Sequence, residues 1–117
     1  MLDKNAILKI KDIQTEEVYI PEWGDTVLVR GLTGNQRDQY EASIVEMRGQ
    51  TQVLRMESLR ARLCALSLVD ADGRQLFDFD EAAELGKKNA AALERICLVA
   101  QRLSGLTNGD MENLAKN

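Results

Sequence analysis

The densest apolar patterning lies between Leu59 and Leu106. It begins with a helical pattern ending in Leu63-Cys64-Ala65-Leu66-Ser67-Leu68-Val69, turns at Asp70-Ala71-Asp72-Gly73, and resumes with Leu76, Phe77 and Phe79 as an aromatic clamp. A second long apolar helix is predicted from Ala90 to Leu103, with Leu93, Ile96, Cys97, Ala100 and Leu103 on its buried side and Gly105 as its stop. Two helices with apolar faces are expected to bury them against each other, because the segments on either side are too short to form a core alone.

Upstream, Ile7, Ile10 and Ile13 fit a helical stripe, and one or two helical turns are favoured over a strand for residues 3–13. From Thr15 the period changes. Glu16-Glu17-Val18-Tyr19-Ile20 alternates, Pro21-Glu22-Trp23-Gly24-Asp25 supplies turn residues, and Thr26-Val27-Leu28-Val29-Arg30 is β-branched again, which predicts a β-hairpin over residues 15–31. A two-stranded hairpin is marginal by itself, so it must lie on the helices or find a strand in another copy or partner. Trp23 at its tip reads as a lid on the core in preference to an exposed anchor for another protein.

Thr33-Gly34-Asn35-Gln36 has capping-box spacing, so a helix is expected to start there, to carry Tyr40, Ile44 and Met47 on one face, and to stop near Gly49. A further helix is expected from about Val53, with Met56, Leu59, Leu63 and Leu66 buried and Arg55, Arg60 and Arg62 mostly outside. Asp80 to Leu85 reads as a short helix capped by Asp78 and ended by Gly86. Thr107-Asn108-Gly109-Asp110 offers a cap for a last weak helix bearing Met111 and Leu114. The expected fold class is α+β and mostly α-helical, an N-terminal β-hairpin packed on a small bundle of about four to five helices. One domain is expected over residues 1–117: an N-terminal segment at 3–13, the hairpin at 15–31, a helical core at 33–105 and a weakly ordered helix at 106–117.

Composition narrows the chemistry. The 117 residues include no histidine, which removes the usual general base, transition-metal ligand and pH switch. A net charge of −4 argues against general attraction to nucleic acid or anionic lipid. No apolar run reaches the ~20 residues of a membrane span, and Met1-Leu2-Asp3-Lys4 does not open a secretory signal, so a cytoplasmic protein is expected. Cys64 and Cys97 fall on apolar helix faces, where a thiol behaves as a small hydrophobe; a disulfide or redox role is the alternative.

From Asp70, twelve residues invite comparison with a calcium loop, because Asp70, Asp72, Asp78 and Glu81 take its first, third, ninth and twelfth positions. Arg74 stands where the fifth ligand belongs and Gln75 where the turn needs glycine, so the stretch reads as a surface turn after which Leu76 and Phe77 re-enter the core. Ser67 and Ser104 lack a base, and Gly31-Leu32-Thr33-Gly34 is too sparse to cradle phosphate. No catalytic residue, cofactor or metal is expected.

Ordered motifs carry a resemblance. Val-x-Ile-Pro-Glu-Trp-Gly (18–24), Val-x-Val-Arg-x-Leu-Thr-Gly (27–34), Arg-x-Arg-Leu-Cys-Ala-Leu-Ser-Leu-Val-Asp-x-Asp-Gly (60–73), Leu-Gly-Lys-Lys-Asn-Ala-Ala-Ala-Leu (85–93) and Gln-Arg-Leu-Ser-Gly-Leu-Thr (101–107) span nearly the whole chain. In this order they resemble the tail assembly chaperones of long-tailed bacteriophages and prophages. The resemblance implies a non-enzymatic protein that coats the tape-measure protein and keeps it soluble until the tail tube polymerises around it. It also implies a longer product of ribosomal frameshifting that recruits the tail tube protein. The ending Ala115-Lys116-Asn117 is compatible with codons GCA AAA AAC, a slippery heptamer. Partner contacts are expected at Trp23, Leu106, Met111 and Leu114, chosen from position and anticipated exposure, and self-association through the hairpin edge is open. The alternative is a small DNA-binding or regulatory adaptor using the Arg55, Arg60 and Arg62 helix.

Overall fold

The computed structural model describes residues 1–106. The alternation after Thr15 produces strands β1 (Thr15–Ile20) and β2 (Asp25–Arg30), paired antiparallel from Thr15↔Arg30 to Ile20↔Asp25. At the tip, the backbone N–H groups of Trp23 and Gly24 both donate to the Ile20 carbonyl. Glu16, Val18 and Ile20 share the inner face of β1, and Ile20 and Val29 are fully buried.

The hairpin gains its third strand from an unexpected place. Helix α3 (Leu59–Ser67) ends where Leu68 turns extended, and Leu68–Val69 form β5, antiparallel to β2 through Leu28↔Val69 and Val29↔Leu68. The sheet order is therefore β1-β2-β5, and the run from Leu63 to Val69 changes from helix to strand without a turn residue.

Capping begins helix α2 (Gly34–Ile44) as expected: the Gln36 N–H donates to Thr33 Oγ1 at 3.1 Å, and Gln36 Oε1 accepts from the Thr33 N–H at 2.9 Å. The helix ends five residues before the expected stop at Gly49. Val45–Arg48 form β3 and Thr51–Leu54 form β4, an antiparallel hairpin closed over Gly49 and Gln50, so the helix expected from Val53 is also a strand at its start. Gly49 takes φ +64°, which a two-residue hairpin loop demands and a helix interior forbids. Met47 is consequently 61% exposed and does not share a buried face with Tyr40 and Ile44, and Met56, expected to be buried, is 45% exposed.

The two long apolar helices do hide against each other. Leu63 and Cys64 of α3 join Leu93, Ile96, Cys97 and Ala100 of α5 (Ala90–Ser104) in one core with Ile20, Val29, Tyr40 and Ile44. Asn89 caps α5, its Oδ1 accepting from the Ala92 N–H at 3.1 Å, and Gly105 ends it at φ +70°. Between them lie a 3-10 turn (Phe79–Glu81), with Asp78 and Glu81 in a reciprocal cap, and the short α4 (Ala82–Leu85). Phe77 and Phe79 pack on the core, but Leu76 stays half exposed instead of re-entering it. The crossover after β2 is pinned to the end of α5: the Leu32 N–H donates to Ser104 Oγ at 2.8 Å, and a Cβ on Gly31 would lie 2.9 Å from the Leu103 carbonyl oxygen.

The first helix, α1 (Lys4–Lys9), is capped by Asp3, whose carboxylate accepts from the Ala6 N–H at 2.9 Å. It contributes no buried residue.

Candidate interaction surfaces

A segment with apolar side chains and no place in the core is the first feature to account for. Leu2, Ile7, Leu8 and Ile10 all project from the α1 arm, Leu8 being 74% exposed. A helix of this length is marginal in water without packing, and among the described residues none buries its aliphatic side chains.

Trp23 is half buried at the hairpin tip and packs on the core margin, the lid position. It also lines an apolar groove of about 360 Å³ with Val27, Leu68, Leu76, Phe77 and Leu85, at whose rim stands Lys88. The groove exists because Leu68 leaves α3 to pair with β2, which draws the 76–77 segment over the sheet edge. Leu106 is 7% exposed and belongs to the core, so the exposure on which its selection as a contact rested is absent. Trp23 sits beside the first half of α5, where its neighbour Glu22 pairs with Arg95 at 3.1 Å, while Leu106 follows that helix's C-terminal end. The structure does not bring these two together, and Met111 and Leu114 lie outside the described residues.

The three arginines do not form a basic face. Arg55 pairs with Glu57 at 2.8 Å and approaches Glu46 at 3.9 Å, and Arg60 pairs with Glu94 at 2.6 Å. Arg62, expected outside, is buried: its guanidinium donates to the Ser43 carbonyl at 3.0 Å, to Ser43 Oγ at 3.2 Å and to the Glu57 carbonyl. Such an arrangement ties the chain entering β3 to the chain leaving β4 and leaves little positive field for phosphates.

The other chemically suggestive residues have structural occupations. Asp70 Oδ1 accepts the N–H groups of Asp72 at 2.8 Å and Arg74 at 3.0 Å, which commits the carboxylate to its own turn. Cys64 and Cys97 are free and buried with their sulfurs 3.7 Å apart. The hydrogen bond with Cys97, with burial second, pushes the Cys64 thiol well above its ordinary range, so it stays protonated and unreactive. Burial likewise raises Tyr40 and keeps its phenol neutral. Among the described residues no group of three or more His, Cys, Asp or Glu converges as a metal site, and no helix is long and apolar enough to cross a membrane.

Comparison with known proteins decides the family. The family model described as phage tail assembly chaperone matches residues 2–117. The chain belongs to that family. Among solved structures, that of the bacteriophage HK97 tail assembly chaperone is similar, with a TM-score of 0.63 and 18% identity over 90% of this chain and 94% of that one. At that identity the likeness speaks for the fold. No curated protein matches.

For a tail assembly chaperone the relevant surfaces are those offered to other proteins, and here sequence reasoning missed the exposed side chains of the α1 arm. Ile7 and Ile10 read as a stripe with no local sign that it would stay exposed, although residues 1–10 carry five large aliphatic or thioether side chains before any core element begins. Leu98, on the outer side of α5 and 52% exposed, was missed for the opposite reason, because it sits inside an otherwise buried run.

Proposed function

We propose that this tail assembly chaperone binds and coats the tape-measure protein in the host cytoplasm, keeping that long helical chain soluble while tail tube protein polymerises around it, and is absent from the finished virion. The observation that carries the reading is the α1 arm: Leu2, Ile7, Leu8 and Ile10 stand clear of the core. Burying four such side chains on a partner's apolar stripe would return about 1.5–3 kcal/mol each before ordering costs, enough for useful affinity when many copies line one chain. The net charge of −4 keeps coated complexes apart. A longer frameshifted form, carrying this domain and an extension that recruits the tube protein, completes the reading.

Co-expression tests it. The wild-type chain should hold tape-measure protein in the soluble fraction and copurify with it in several copies. Leu8→Asp with Ile10→Asp should abolish copurification while leaving the thermal transition unchanged, since α1 contributes nothing to the core. Insoluble tape-measure protein in the presence of the wild-type chain sinks the function, and undiminished copurification of the double variant sinks the arm as its site. A gene with no slippery run at the codons for Ala115 to Asn117 removes the longer form.

A further inference from the structure

The β3–β4 hairpin forms a two-stranded sheet of its own, separate from β1-β2-β5. Such a ribbon is marginal in water and gains from a third strand. Its hydrogen-bond phase says which groups are on offer. The Arg55 N–H donates to the Ile44 carbonyl, so residues 44 and 55 are a bonded pair, and alternation turns the backbone groups of Glu46 and Arg48 inward to β4. Those of Met47 therefore point away from β4, along an edge that no described strand occupies.

We propose that this edge pairs with the same edge of a second copy, antiparallel about a two-fold axis through Met47. In that register Met47 faces its symmetry mate as a bonded pair exchanging both N–H···O=C bonds, which is the phase the free edge requires. Glu46 of each copy then stands directly opposite Arg48 of the other in a non-bonded pair, where side chains approach closely. The strand Val45-Glu46-Met47-Arg48 is thus complementary to itself in charge as well as in hydrogen bonding. Within one copy Arg48 already reaches Glu46 at 3.3 Å, and both remain accessible enough to exchange partners. The β4 edge lacks this property, since a two-fold centred on Gln52 would set Thr51 against Val53.

Sedimentation velocity over a concentration series, with single and paired charge reversals, tests it. The wild-type chain should dimerise reversibly. Glu46→Arg and Arg48→Glu should each weaken association at least about tenfold by setting like charges opposite each other. The combined E46R/R48E variant should restore it to within about threefold, an outcome that general damage to the hairpin cannot produce. Met47→Cys should yield a disulfide-linked dimer when treated with diamide, the native thiols being buried. A chain that stays monomeric at hundreds of micromolar overturns the proposal. So does a single reversal without effect, a double reversal that fails to restore association, or crosslinking of Gln52→Cys in place of Met47→Cys.

Discussion

Replacing Arg62 with alanine should cost far more than replacing its neighbour Arg60, although both are arginines on α3. Arg62 is 8% exposed, and its guanidinium holds two backbone carbonyls, those of Ser43 and Glu57, together with the Ser43 hydroxyl. Removing a charged donor forfeits bonds of about 1.5–3 kcal/mol each. Their sum is limited because Glu57 borders solvent and its carbonyl can recruit water, and because the bonds share one side chain. A loss of about 3 kcal/mol follows, with part of it from the vacated stem. For a chain of 117 residues that corresponds to roughly 10 °C in Tm. Arg60 offers the comparison: its pair with Glu94 leaves the two side chains 68% and 46% exposed, so Arg60→Ala should cost no more than about 0.5 kcal/mol.

The same geometry predicts where the damage goes. Arg62 bridges Ser43, two residues before β3, to Glu57, three residues after β4, so amides from 46 to 53 should lose hydrogen-exchange protection in Arg62→Ala well before those of α5. Arg62→Met, which keeps the packing stem and loses the donors, should recover less than half of the deficit. Chemical denaturation of the three variants, with exchange measured by mass spectrometry, checks this. If Arg62→Ala costs under 1 kcal/mol, or if the 46–53 amides stay as protected as in the parent chain, the clamp reasoning is wrong.

Gly31→Ala should destabilise by about 1–3 kcal/mol, because its methyl would meet the Leu103 carbonyl oxygen at 2.9 Å and carbon at 3.2 Å, backbone atoms that cannot rotate aside; urea melts would measure it. Glu22 is held below the ordinary carboxylate range, first by a backbone N–H and also by Arg95. Its contribution is therefore present above the unfolded pKa and lost as pH falls through the lower folded one, so the stability difference between wild type and Glu22→Gln should be constant near neutrality and shrink below about pH 4. Titration with a thiol reagent should find Cys64 and Cys97 silent in the folded chain and two reactive thiols after denaturation; rapid labelling of Cys64 in the native protein would contradict its burial and raised pKa.

What the sequence made legible was local. The β1–β2 hairpin, the Thr33–Gln36 capping box and the start of α5 at Ala90 each rest on residues a few positions apart, and each formed where the pattern placed it. The β3–β4 hairpin was misread because two periods coincide there. Tyr40, Ile44 and Met47 keep helical spacing, while Val45 and Met47 also keep strand spacing and share a face with Leu54 across the turn, and Gly49 tips the balance by accepting φ +64°. Arg62 was misplaced for a different reason: it lies three residues from Leu59 and four from Leu66, inside the apolar arc, and its charge was given more weight than its phase. The burial of Leu106 and the exposure of Leu8 were beyond any local pattern, since each depends on which distant element arrives to cover it. For a chaperone that asymmetry has a physical cause. Core stripes are written twice, once on each of the two helices that meet, so α3 and α5 predict each other. In the proposed function α1 carries a docking stripe, which is written once here, its complement belonging to the sequence of the partner.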